Sequence, residues 1–117
     1  MLVHAAASGV GTALLQLAKL HGIKTIALSS NNAKLDFCTS LGATSTINYK
    51  ENPNWEQAVL ALTNGKGVEI ILDPIGAESI AKNSVCCATD ARWVLYGFLG
   101  GSAAEHFDMG PILRKRI

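Results

Sequence analysis

The stretch His4-Ala5-Ala6-Ala7-Ser8-Gly9-Val10-Gly11-Thr12 decides the fold, because it joins a short apolar run to an apolar-periodic segment through small residues. Upstream, Leu2-Val3-His4-Ala5-Ala6 reads as a buried parallel strand. Downstream, Val10, Leu14, Leu17 and Ala18 recur at helical spacing up to Leu20, and Gly22 stands where a helix stops. A strand that starts at Met1 has no earlier element to cover it, which implies a chain cut from something longer.

The same unit repeats along the chain. Lys24 to Leu28 reads as a strand, Asn32 as the cap of a helix running to about Leu41, and Gly42 as its stop. Ser45 to Asn48 is a third strand, and Trp55 to Leu62 a helix after the Asn52-Pro53 turn. Val68 to Asp73 is β-branched and apolar, and Pro74 ends it because proline cannot donate to a ladder. Helix from Ala77 to Ala88, strand from Arg92 to Tyr96 and helix from Phe107 to Arg116 complete the pattern. Strands alternating with helices predict an α/β fold: a Rossmann-type, doubly wound parallel sheet of five strands. A complete dinucleotide fold has six strands in the order 3-2-1-4-5-6, so Ile117 falls where the sixth would begin.

At 117 residues, 49% hydrophobic and 16% charged, the chain suits one incomplete domain over residues 1–117. Ten basic and nine acidic residues leave a net charge of +1, spread along the sequence. That balance gives no footprint for nucleic acid or an anionic membrane. Arg114-Lys115-Arg116 is read as the last turn of a helix complementing its dipole. Cys38, Cys86 and Cys87 form no Cys-x-x-Cys pair and join no His or Asp cluster at metal spacing, so no metal site is expected. Reduced core thiols and the absence of a leader or long apolar run point to a cytoplasmic protein.

The first turn is a loose match to a dinucleotide fingerprint, with Ala6, Ser8 and Gly11 in the places of its three glycines. Ser8 can donate to a phosphate or cap the helix, and Gly9 and Val10 lend backbone N–H groups at its positive end. A glycine-rich turn of any α/β protein reads the same way. At the end of the second strand, where NAD enzymes place an acid on the ribose, stand Ser29-Ser30-Asn31-Asn32; the nearest acid, Asp36, lies within the next helix. With no carboxylate to repel a 2′-phosphate, Ser29, Ser30 and Lys34 can accept one, which favours NADP(H). The ordinary role of the same residues is a polar cap and a solvated lysine.

Together with Leu41-Gly42-Ala43, Ile47-Asn48-Tyr49 and Gly67 to Gly76, the opening stretch resembles the zinc-free, zeta-crystallin-like quinone oxidoreductase branch of the medium-chain dehydrogenase/reductase superfamily. The resemblance covers nearly the whole chain. It implies that Ser30, Lys34 and Tyr49 surround the 2′-phosphate, with Ser29 assisting. It also implies that Asp73, Ile75 and Gly76 lie beside the cofactor ribose, and that Gly97, Phe98 and Leu99 touch the nicotinamide end. Asp73 can equally hold the Pro-Gly turn by local hydrogen bonds, and the Gly97 segment can be a loop needing glycine.

The implied activity is hydride transfer from NADPH to a quinone or another activated alkene, in a full-length enzyme that forms a homodimer. Most of its catalytic domain lies outside this chain, so the isolated fragment is expected to be inactive. A non-catalytic NADPH-binding or sensing module and an enoyl-thioester reductase are the alternatives. No catalytic side chain is assigned, since His4, His21 and His106 are isolated and read as surface or turn residues. Trp55 and Trp93 are assigned to packing.

Overall fold

A computed structural model describes all of residues 1–117. The chain forms two compact units, Met1–Trp55 and Glu56–Ile117. No helix is long and apolar enough to cross a membrane.

The N-terminal unit contains β1 (Leu2–Val3), α1 (Gly9–Leu20), β2 (Ile26–Ser29), α2 (Asn32–Ser40) and β3 (Ser45–Asn48). Its strands lie in the order β3-β2-β1, all parallel, with Leu2 opposite Ile26 and Ser29 opposite Asn48. β2 is buried along its full length, as expected of a strand covered on both faces. Val3, Ala6, Leu15, Ala27, Leu35, Cys38 and Ala43 form one apolar cluster. The face of α1 differs from the sequence reading: Gly11, Leu15 and Ala18 are buried, whereas Val10 and Leu17 are about half exposed. Gly11 faces inward because the first turn of the helix runs hard against the preceding loop, and Leu15 and Ala18 follow on the same face. β1 is also shorter than expected, since His4 to Ala7 already form turns. His4 is not a surface residue; it is buried, with its ring edge-on to Trp55 at 5.2 Å between centroids.

The C-terminal unit contains α3 (Trp55–Leu62, whose first residue closes the preceding unit), β4 (Val68–Asp73), α4 (Ile80–Cys86), β5 (Cys87–Leu95) and α5 (Gly110–Lys115). β4 and β5 are parallel, and a register shift between Val68 and Ile70 sets Glu69 against residues 88–91 of the longer strand. α4 is shorter than the sequence reading, and β5 starts five residues earlier than Arg92. At its start the N–H groups of Ala77 and Glu78 donate to Gly101 and Gly100 instead of opening the helix. α5 is likewise confined to the turn around Pro111, a residue suited to a helix start. Lys115 serves a neighbouring helix end more than its own: its Nζ donates to the carbonyls of Ser84, Val85 and Cys87 at 2.8–3.0 Å. Arg116 forms a bidentate pair with Asp90 and holds that carboxyl below its usual range.

All three cysteines are free and buried. Burial raises each thiol, Cys86 to about 12 and Cys87 to about 11; the neighbouring Cys87 adds to the rise at Cys86, and the Lys115 ammonium opposes it at both. Native thiols are therefore almost wholly protonated at neutral pH and poor nucleophiles. Titration with an aromatic disulfide reagent should leave all three thiols slow to react until denaturant is added, and fast reaction of any in the folded chain would contradict this burial. Unfolded thiols ionise first, so folding stability should fall as pH rises past ~8.5.

Candidate functional site

In the N-terminal unit the loop between β1 and α1 is fixed from both sides. The Ala6 N–H donates to the Leu28 carbonyl at 3.1 Å, tying the loop to the carboxyl end of β2, and the Ser8 N–H donates to Ala5 at 2.9 Å. Ser8 is the N-cap of α1, its Oγ accepting from the Gly11 N–H at 3.1 Å. Of the two roles open to Ser8, the cap is therefore in place. A Cβ on Gly11 would lie 2.6 Å from the carbonyl oxygens of both Ala5 and Ala6, so only glycine lets the helix start this close to the loop. A Cβ on Gly9 meets nothing within 4 Å. Gly9 and Val10 are exposed and occupy the first two helical positions, where amide N–H groups have no partner within a helix. Such a helix start can accept an anion.

The second cluster lies at the carboxyl ends of β2 and β3, which parallel pairing puts on one side. The Tyr49 N–H donates to the Ser29 carbonyl at 3.1 Å, so Tyr49, Ser29 and Ser30 are neighbours. The Ser29 side chain is buried, Ser30 is half-buried, and Tyr49 and Lys34 are exposed. Asn31, not Asn32, caps α2, accepting from the Lys34 N–H at 3.1 Å. The Lys34 ammonium enters neither of the chain's two ion pairs.

Asn32 has another task. Its Oδ1 accepts from Asn48 Nδ2 and its Nδ2 donates to Glu51 Oε1, each at 2.9 Å. A carboxylate therefore does reach the entrance of α2, delivered by the turn after β3 and not by α2 or β2. The ribose acid of NAD enzymes is expected about 20 residues past the glycine turn, and Glu51 lies about twice as far along. The signal available was the clustering of Asn32, Asn48 and Glu51, which has meaning only once β2 and β3 are paired.

In the C-terminal unit, Asp73 is fully buried at the end of β4 and accepts five hydrogen bonds. Its Oδ1 takes the N–H groups of Ile75 (2.7 Å) and Gly76 (3.2 Å); its Oδ2 takes Ser79 Oγ, Asn83 Nδ2 and Trp93 Nε1 at 2.9–3.1 Å. Both of its oxygens are occupied by protein donors, which is the turn-holding role; the carboxylate has little left to offer a ribose. Trp93 is thus more than apolar packing. Gly76, at φ +84, could not carry a Cβ, which would lie 2.6 Å from the Gly101 carbonyl. Leu99 and Gly100 donate back to Pro74 and Ile75 at 2.9 and 2.7 Å, fastening the two loops to each other. Phe98 and Leu99 remain exposed on that fastened loop. Tyr96 is raised above its ordinary pKa by burial and then by the charge of Asp73.

Replacing Asp73 with asparagine turns an amide NH₂ toward donors that nothing else can satisfy. Asp73→Asn should lower stability by about 2–4 kcal/mol, read by urea unfolding; a loss below about 0.5 kcal/mol would show that the network contributes little.

Residues 9–117 match the family described as zinc-binding dehydrogenase. A zinc-type alcohol dehydrogenase-like protein of Schizosaccharomyces pombe is 37% identical over 91 residues, which is 78% of this chain and 26% of that protein. Among solved structures, a 2-haloacrylate reductase superposes with a TM-score of 0.88 at 29% identity, over 97% of this chain and 35% of that one. An Escherichia coli quinone oxidoreductase complexed with NADPH gives 0.86 at 29% identity, over 97% and 34%. This chain therefore spans about a quarter to a third of the length of these relatives. The five strands and their helices form the Rossmann-like α/β fold of that superfamily's cofactor domain. No three His, Cys, Asp or Glu side chains are grouped as a metal site. By its match over residues 9–117, the chain belongs to the zinc-binding dehydrogenase family.

Proposed function

We propose that the chain binds NADPH, and that the whole protein transfers hydride from it to a quinone or another activated alkene. The observation that carries this reading is the Lys34 ammonium, in neither ion pair, on the first turn of the helix that follows β2, whose carboxyl end pairs with that of β3 so that Tyr49 meets Ser29. Ligands of open α/β sheets bind at such ends. The N–H-rich start of α1 fits a pyrophosphate, and the absence of a Cβ at Gly11 fits the close helix packing that a dinucleotide turn requires.

In this reading the N–H groups of Gly9 and Val10 hold the pyrophosphate, while Ser8 keeps the helix end in position and Gly11 lets it approach. Ser30, Lys34 and Tyr49 hold the 2′-phosphate, and the buried Ser29 supports them through its backbone. Ile75, Gly76, Gly97, Phe98 and Leu99 offer backbone and apolar contacts on the C-terminal unit, and Asp73 shapes the turn beneath Ile75 and Gly76. Bound NADPH supplies the hydride itself; the protein's share is position and field. We assign no side chain of this chain as acid, base or nucleophile. A cytoplasmic location and a homodimer of the whole protein belong to the same proposal.

Calorimetry on this chain should give tighter binding of NADPH than NADH, and Lys34→Ala should remove most of a roughly tenfold preference; equal affinities in the unaltered chain would overturn the 2′-phosphate assignment. Gly11→Val should abolish binding of both cofactors, and binding retained by a folded Gly11→Val variant would rule out the loop. For the whole protein, turnover of a quinone against an enoyl thioester separates the two acceptor classes.

A further inference from the structure

We propose that Glu51 limits how strongly this chain prefers a 2′-phosphate to a 2′-hydroxyl; the inference rests on the NADPH reading above. Glu51 lies on the turn after β3, where its own N–H and that of Lys50 donate to Asn48 Oδ1 at 3.3 and 3.0 Å. Asn48 Nδ2 is bonded to Asn32 Oδ1, and Asn32 Nδ2 to Glu51 Oε1, each at 2.9 Å. This chain of amides fixes the carboxylate against the first residue of α2, on the same helical turn that carries Lys34.

Two opposite charges therefore serve one helix entrance. Lys34 attracts a phosphate dianion, and Glu51 repels it while offering an acceptor to a ribose hydroxyl. A carboxylate on the ribose is the device by which dinucleotide enzymes favour NAD. Here it comes from the third strand's turn, held by Asn32, and Lys34 has to outweigh it. Both side chains are exposed, so the effect is moderate and screened by salt.

Glu51→Gln tests this cleanly, because glutamine keeps the oxygen that accepts from Asn32 and removes only the charge. Calorimetry with NADPH and NADH should show the NADPH-to-NADH affinity ratio rising roughly threefold to tenfold, with a smaller rise at high salt. Asn32→Ala, which frees the carboxylate, should give part of the same rise. An unchanged or lowered ratio in folded Glu51→Gln overturns the inference, while a preference lost in Lys34→Ala leaves the NADPH reading intact. If the unaltered chain binds the two cofactors equally, the NADPH reading itself fails. Unchanged thermal unfolding of Glu51→Gln checks that the fold is preserved.

Discussion

The contact on which the N-terminal unit depends is the approach of α1 to the loop before it. Two carbonyl oxygens, of Ala5 and Ala6, occupy the volume that a side chain at position 11 would need. That closeness sets the tilt of the helix, turns Leu15 and Ala18 into the core and leaves Val10 and Leu17 outside. It also leaves the unpaired N–H groups of the first turn at the edge, in the open. One missing methyl group thus sets both the packing of the helix and the exposure of its first N–H groups. The Ala6 bond to Leu28 carries the constraint on to β2, so the loop and the carboxyl end of the second strand are held as a single piece.

The C-terminal unit solves a comparable problem with charge. A carboxylate taken fully out of water is costly unless every lone pair finds a donor. Asp73 finds them in two backbone amides, a hydroxyl, an amide and an indole. These donors come from the following turn, from α4 and its approach, and from β5, so one side chain joins the pieces that the strand ends must keep together. The turn it holds is then stitched to the loop after β5 by backbone bonds.

Much of this was legible in the sequence. α3 and β4 lie where apolar periodicity and Pro74 put them, because a central strand and an amphipathic helix leave strong local patterns, and the shorter edge strand β3 lies between its flanking turns as expected. The ends of β1, α4 and α5 were misjudged, for there local propensity gives way to tertiary bonds: Ala77 and Glu78 look helical yet donate to a glycine loop. Ser29, Ser30, Lys34 and Tyr49 could be named from a family likeness, and strand pairing brings Tyr49 next to Ser29 and Ser30. Glu51 could not be found in that way. Its place depends on two asparagines far apart in sequence, and asparagine-to-asparagine bonds leave no periodic trace. His4 was missed for a similar reason, since its partner Trp55 lies at the other end of the unit.

The three carbonyls gathered by Lys115 link the chain's last helix to the end of α4. A helix of six residues has too few internal bonds to persist by itself in water. Its order is borrowed through one ammonium group and, at the surface, the exposed pair of Arg116 with Asp90. The carbonyls at the end of α4 borrow in return, because no glycine closes that helix. Opening of either segment therefore strips the other of its partners, and the two are expected to open together, with amide exchange at residues 84–87 and 112–117 following one rate.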